Sequence, residues 1–131
     1  MADGVVVADT DLVIDFLRGA EPGATRVERW LQDRHLRLTA VTAFELRLGA
    51  DFLGRVAQID SLLHRRTLPL DALAGLEAGK VFVALRAQGR GLDVKDALQA
   101  GICLRFDLPL ATRNLRHFER VPGLRLDRPP E

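Results

Sequence analysis

The sequence predicts an α/β fold: a short central parallel sheet flanked by helices, in one domain that takes in all of residues 1–131. Three observations carry that expectation. Four short apolar runs read as strands: Val5-Val6-Val7-Ala8, Leu36-Arg37-Leu38-Thr39-Ala40, Thr67-Leu68-Pro69-Leu70 and Leu108-Pro109-Leu110-Ala111-Thr112. The stretches between them repeat apolar residues at helical spacing, and strands alternating with helices build parallel sheets. No internal repeat, low-complexity tract or second domain interrupts the pattern.

The first run ends in Asp9-Thr10-Asp11 and enters a helix over residues 12–17. In open α/β sheets ligands bind beyond the carboxyl ends of the strands, where a carboxylate can hold a cation. A helix cap is the plain alternative for such an Asp. Pro22-Gly23 then opens a helix with Ala24, Val27 and Leu31 on one stripe and Trp30 beside it. After the second strand, Thr42 reads as an N-cap with Glu45 three residues later, the capping-box spacing. Phe52, Val56, Ile59 and Leu63 trace another stripe, with Arg55, Arg65 and Arg66 outside it. The third strand leads into a long helix from Asp71, expected to pack Leu73, Leu76, Val83 and Ala87 and to end near Gly89-Arg90-Gly91.

Asp96 opens the next helix, where a negative charge suits the dipole and Ala97, Ala100, Gly101 and Leu104 form a small-residue packing face. Cys103 within it reads as a core residue. The fourth strand runs into Arg113-Asn114-Leu115-Arg116-His117-Phe118, and the tail from about residue 127 is expected to fray.

Composition excludes more than it selects. The formal net charge of +1 gives no global signal for nucleic acid, and one Cys excludes a disulfide within the chain. No apolar stretch approaches a membrane span, and Met1-Ala2-Asp3-Gly4 is not a signal-peptide start, so a cytoplasmic protein is expected. Arginine dominates the basic residues. Arg18, Arg47, Arg113 and Arg116 each lie within a few residues of a candidate site position, and their forks suit phosphate, so they are candidates to hold a phosphate-bearing ligand.

Taken in order, Val7-Ala8-Asp9-Thr10-Asp11-Leu12, Thr42-Ala43-Phe44-Glu45-Leu46, Asp96-Ala97-Leu98-Gln99-Ala100-Gly101 and Leu110-Ala111-Thr112-Arg113-Asn114 resemble the motifs of PIN-domain ribonucleases, most closely the VapC-type toxins of bacterial toxin–antitoxin pairs. The resemblance spans nearly the whole chain and implies a PIN-like fold. It also implies a metal-dependent endoribonuclease with Asp9, Glu45 and Asp96 as the acidic metal triad and Asn114 as the fourth catalytic position. Two positions depart from the pattern: Asp11 stands where the family more often has Asn or Ser, and Asn114 where many members have Asp, with His117 close by.

The implied cofactor is Mg²⁺ or Mn²⁺, since an all-oxygen donor set suits a hard cation. The implied partners are a small antitoxin, an RNA substrate and a second copy of the chain, with no membrane. The Ala24–Val27–Leu31 and Phe52–Val56–Ile59–Leu63 stripes are the candidates for a helix-in-groove contact. Two rival readings start from the same residues. Asp9-Thr10-Asp11 also looks like the first motif of haloacid-dehalogenase-type phosphatases, with Asp9 as nucleophile, though Lys95-Asp96 supplies only part of the rest. A non-catalytic regulatory module with an acidic pocket is the third reading, weakened by the presence of only Lys80 and Lys95.

Overall fold

A computed structural model describes residues 4–129. The elements run β1 (Val6–Ala8), α1 (Thr10–Arg18), α2 (Gly23–Gln32), β2 (Leu36–Thr39), α3 (Ala40–Leu48), α4 (Val56–Leu63), β3 (Thr67–Leu68), α5 (Ala72–Ala87), α6 (Val94–Phe106), β4 (Leu110–Ala111) and α7 (Leu115–Phe118). The strands form one sheet in the order β3-β2-β1-β4, every pair parallel. β1 lies inside the sheet, which is why its sequence is a continuous apolar run rather than an alternation.

Successive side chains of β1 feed opposite faces of the sheet. Val6 and Ala8 join Leu12, Val27, Leu38 and Ile59 in one core cluster, whereas Val7 joins Leu85, Cys103, Leu110 and Phe118 in another. Helices α1 to α4 supply the first cluster and α5 to α7 the second. Fully burying one such Leu or Phe contributes roughly 1.5–3 kcal/mol, so both layers press on the strand that ends at Asp9. Cys103 is wholly buried, and burial holds its thiol well above its ordinary pKa.

The expected stripes and caps need four corrections. The N-cap of α3 is Thr39, whose hydroxyl accepts from the Thr42 N–H, so Thr42 and Glu45 form no capping box. α5 turns a different face inward. Ala74, Ala78, Val81 and Leu85 are buried, while Leu73 and Leu76 are 54% and 71% exposed and Val83 faces outward too. The cause is close helix packing: α5 crosses α6 at Gly101, where an added Cβ would stand 2.6 Å from the Ala74 carbonyl oxygen and from the Ala78 Cβ. Only small residues fit there, so the larger apolar side chains are left outside.

The two stripes proposed for partner docking are largely spent inside. Val27 and Ile59 are core, and Leu31, Phe52 and Leu63 pack against the same cluster. The strands are also shorter than the apolar runs suggest, β4 comprising only Leu110–Ala111. Leu126 bridges to Leu110, Asp127 N–H donates to the Leu110 carbonyl, and Arg26 reaches the Asp127 carboxylate, so ordered contacts continue to residue 127. Pro130 and Glu131, part of the tail expected to fray, lie outside the described residues.

Candidate active site

Three strands deliver polar residues to the carboxyl edge of the sheet. Asp9 follows β1 directly and caps α1 by accepting from the Thr10 N–H at 3.0 Å. The cap and the candidate ligand are therefore one residue. Thr39 ends β2 and starts α3, which carries Thr42 and Glu45. Thr112 follows β4. From the second layer α6 brings Asp96 in its first turn and Gln99 three residues on, the same helical face.

Gln99 is the hub that the sequence did not reveal. It is 1% exposed, an amide buried among apolar residues, and its bonding is complete. Its Oε1 accepts from the Thr39 hydroxyl, and its Nε2 donates to Asp9 Oδ1 at 3.2 Å and to Thr42 Oγ1 at 3.3 Å. Each hydroxyl has a single proton to give, which fixes the direction of the chain beyond it. Thr10 donates to Glu45 Oε1 at 2.7 Å, so across their 2.9 Å contact Thr42 must donate to Thr10. The relay thus ends on Glu45 as an acceptor and holds Asp9 and Glu45 in one network. The available signal was positional: Gln99 falls on the inward face of α6, one turn from Asp96.

Asp9 is 8% exposed. Its other oxygen, Oδ2, accepts from Thr112 Oγ1 at 2.7 Å, and Thr112 Oγ1 in turn accepts from the Asn114 N–H at 3.0 Å. Despite these donors its pKa is raised from 3.8 to about 6, first by burial and then by the neighbouring charge of Asp11, with a smaller contribution from Asp96. Asp96 is raised as well, by burial first, then by Asp93 and weakly by Glu45, against the opposing pull of His117. The carboxylates are close enough to disturb one another.

Basic side chains and one imidazole answer them. Lys95 Nζ lies 3.6 Å from Glu45 Oε2, and His117 Nδ1 lies 3.5 Å from Asp96 Oδ2. Arg113 spans Asp11 at 3.6 Å and Asp15 at 3.2 Å, while its backbone N–H donates to Asp11 Oδ2 at 3.1 Å. Of the remaining candidates, Asn114 is exposed at the rim; its backbone N–H donates to Thr112 and its carbonyl accepts from the His117 N–H. Arg18 pairs with Asp51 beside a recess that Glu45 also lines, and Arg47 stacks on the Phe52 ring. Arg116 is exposed in α7.

The donor chemistry fits a hard divalent cation. It is all oxygen, and the buried Asp9 carboxyl, pushed up by burial and like charge, gains directly from a positive ion. Among the described residues no group of three or more His, Cys, Asp or Glu side chains is gathered closely enough to hold a metal ion by itself. A hard cation that takes one or two carboxylates and keeps several waters does not need such a group.

A parallel sheet with acids collected where strands β1 and β2 run into helices defines an α/β protein with an open acidic centre at its carboxyl edge. The match to known families agrees with that class: the PIN domain family covers residues 6–124, and the chain belongs to it. It is 31% identical to the tRNA(fMet)-specific endonuclease VapC of Shigella flexneri over 91% of this chain and 93% of that one. Ribonuclease VapC3 of Methanocaldococcus jannaschii is also 31% identical, over 73% of this chain and 95% of its own. Among solved structures, DNA-bound VapBC from Salmonella typhimurium superposes with a TM-score of 0.79 at 28% identity, covering 94% of this chain and 96% of that one.

Proposed function

We propose that this chain is a divalent-metal-dependent endoribonuclease, the toxin of a toxin–antitoxin pair, with residues 1–131 forming its single nuclease domain in the cytoplasm. One observation carries the reading. Asp9 and Glu45, far apart in sequence, are tied into one continuous hydrogen-bonded network at one edge of the sheet, and Asp96 is near enough for its charge to act on Asp9. The relatives named as VapC are an endonuclease specific for tRNA(fMet) and a ribonuclease, which makes RNA the substrate class.

Asp9, Asp96 and Glu45 would hold Mg²⁺ or Mn²⁺. When bound, such an ion stabilises charge on the phosphoryl group and lowers the pKa of water so that hydroxide is supplied at neutral pH. The chain's own residues do the rest. Thr112 and Gln99 fix both oxygens of Asp9, so its carboxylate presents one orientation. Thr10 keeps Glu45 an acceptor, Lys95 balances charge on Glu45, and the His117 imidazole lies 3.5 Å from the Asp96 carboxylate. Asn114, at the exposed rim, would orient the attacking water through its amide. Arg113 and Arg116 flank the opening as phosphate contacts, with Arg18 and Arg47 further out.

The partners follow from the same reading: a small antitoxin, as in the VapBC assemblies the fold resembles, and a second copy of the chain. The support for a homodimer is the outward apolar row Leu73, Leu76 and Val83 on α5, which the core does not use. No helix among the described residues is long and apolar enough to cross a membrane. The phosphatase alternative is not favoured, because the family match is to the PIN domain and Lys95 faces Glu45.

The test pairs RNA cleavage with phosphate release, each with Mg²⁺, Mn²⁺ or chelator. Metal-dependent RNA cleavage without release of phosphate from monoesters is expected. Phosphate release without RNA cleavage would overturn the reading.

A further inference from the structure

Three helices of this chain end on a non-glycine residue at positive φ: α6 on Asp107, a residue type that tolerates that backbone, and α2 and α4 on arginines whose turns open on the same cleft. α1 and α5 finish at Gly19 and Gly89, with φ of 68° and 69° in the left-handed region where glycine carries no Cβ penalty. After α2 and α4 the equivalent turns place Arg34 at φ 59° and Arg65 at φ 61°. A positive-φ arginine is uncommon, and such outliers are kept where the surrounding structure or a function demands them. The favourable interaction of a cation with a helix C-terminus does not require this, since any basic residue in the last turn provides it without strain.

These turns precede β2 and β3, neighbouring parallel strands, so both lie at the amino edge of the sheet, opposite the carboxylates. There Arg34, Arg37, His64, Arg65 and Arg66 line a cleft of about 600 Å³, with Asp60 its one acid. Among the described residues none of the four arginines makes an ion pair; seven other arginines share that state, but only here do four unpaired arginines line one cleft. Two of the four are nonetheless held in place. Arg37 Nη1 donates to the carbonyls of Arg34 and Leu36, and Arg66 Nη1 donates to those of Ser61 and Leu62. Guanidiniums anchored by one nitrogen and free at the others lose little entropy when they take an anion.

We propose that this cleft is a second RNA-binding site, gripping phosphates of a folded RNA whose scissile strand lies at the opposite edge. The proposal rests on the ribonuclease reading for its choice of RNA over an acidic peptide. Arginine forks match phosphate bidentately, and a row of anions is what four unpaired forks at one rim can satisfy. Strand β2 has four residues, so the two edges lie about 13 Å apart. A short single strand in the acidic centre does not reach the cleft; a folded RNA does. The cleft would supply affinity and register, not sequence readout.

The test uses the full chain with R34G and R65G combined, since glycine suits both backbone positions, and R125Q as a cation control away from the cleft. Binding of a folded stem–loop RNA is measured in a D96N background with chelator, across a salt series. Cleavage of a short single-stranded oligonucleotide is measured separately with Mn²⁺ in the otherwise native chain.

The double variant should bind the stem–loop about tenfold or more weakly. Its log K against log salt should be shallower by about 1.4 to 1.8 for two lost phosphate contacts, with oligonucleotide cleavage unchanged. Unchanged stem–loop affinity overturns the proposal, as does an equal loss in R125Q. Loss of binding to an acidic peptide with RNA affinity intact overturns it in favour of a protein partner. Failure of the native chain to cut any RNA would instead strike the nuclease reading, which the binding arm does not depend on.

Discussion

The two edges of the sheet hold their charges in opposite ways. At the carboxyl edge the acids are partly buried, networked and each faced by a cation or a donor, and the cost is electrostatic: Asp9 is driven to about pH 6 by burial and like charge. At the amino edge the cations are exposed or half-buried and make no ion pair, and the cost is conformational, two arginines held at positive φ. A buried charge must be oriented by the protein that surrounds it, because water cannot do so. An exposed one can be left waiting for its partner. The difference separates a region built to fix an ion from one built to grip a long anion.

The largest break in that comparison comes from D96N. RNA cleavage should fall by more than about 100-fold, beyond the 10- to 100-fold typical of losing a residue that only supports a metal ligand, while circular dichroism and stem–loop binding persist. Retained cleavage would reduce the acidic edge to helix caps and charge balance.

The next effect is in stability against pH without metal. The folded chain keeps a proton on Asp9 up to about pH 6, whereas an unperturbed aspartate loses it near 3.8. Between those values the native state binds the proton that the unfolded state has released, so stability is lost as pH rises through the window. The gap of about 2 units corresponds to something on the order of 3 kcal/mol. Urea unfolding of the native chain and D9N from pH 4 to 7 should show this decline in the first and a flatter profile in the second. Identical profiles would contradict the assignment of the strain to Asp9.

A divalent ion should recover that loss. At one hundred times its dissociation constant a ligand of the native state adds about 2.7 kcal/mol, which for a domain of this size means a melting shift of several degrees. Mn²⁺ titrations by thermal scan should show it in the native chain and lose most of it in D9N. Q99L sharpens the carboxyl edge further. It removes the acceptor of the Thr39 hydroxyl and one donor each to Thr42 Oγ1 and Asp9 Oδ1, which keep Thr10 as a partner, costing about 1–3 kcal/mol, and it should weaken the Mn²⁺ shift even though Gln99 touches no ion. The smallest change belongs to the other edge: R65G should gain up to about 1 kcal/mol by relieving the left-handed backbone, read as a slightly higher urea midpoint.

Much of this was legible. The apolar run before Asp9, the small-residue face around Gly101 and the helix opened by Asp96 each followed from local pattern. What was not legible required knowing the neighbour. Thr42 resembled a cap until the partners of its hydroxyl, Thr10 and Gln99, were visible. Leu73 and Leu76 resembled core until the approach of α6 selected Ala74 and Ala78 instead. Gln99 was read only as part of the Asp96 motif, because nothing in its own segment announces Thr39 or Asp9. The arginines of the amino edge looked like ordinary surface composition, since their shared cleft exists only once β2 and β3 lie side by side.

Gly101 carries a consequence for how this protein can change over generations. It has no functional group and lies more than a turn of helix beyond Asp96, yet even a methyl there would meet the Ala74 carbonyl oxygen and the Ala78 nitrogen at 2.6 and 2.7 Å. Backbone cannot yield as a side-chain tip does, so α6 would have to lift, and Asp96 and Gln99 would travel with it. A displacement of about 1 Å is enough to cost a catalyst about 100-fold. In a library of random substitutions, position 101 should therefore behave like a member of the acidic centre, nearly as intolerant as Asp96, while chemically richer exposed residues such as Arg29 vary freely.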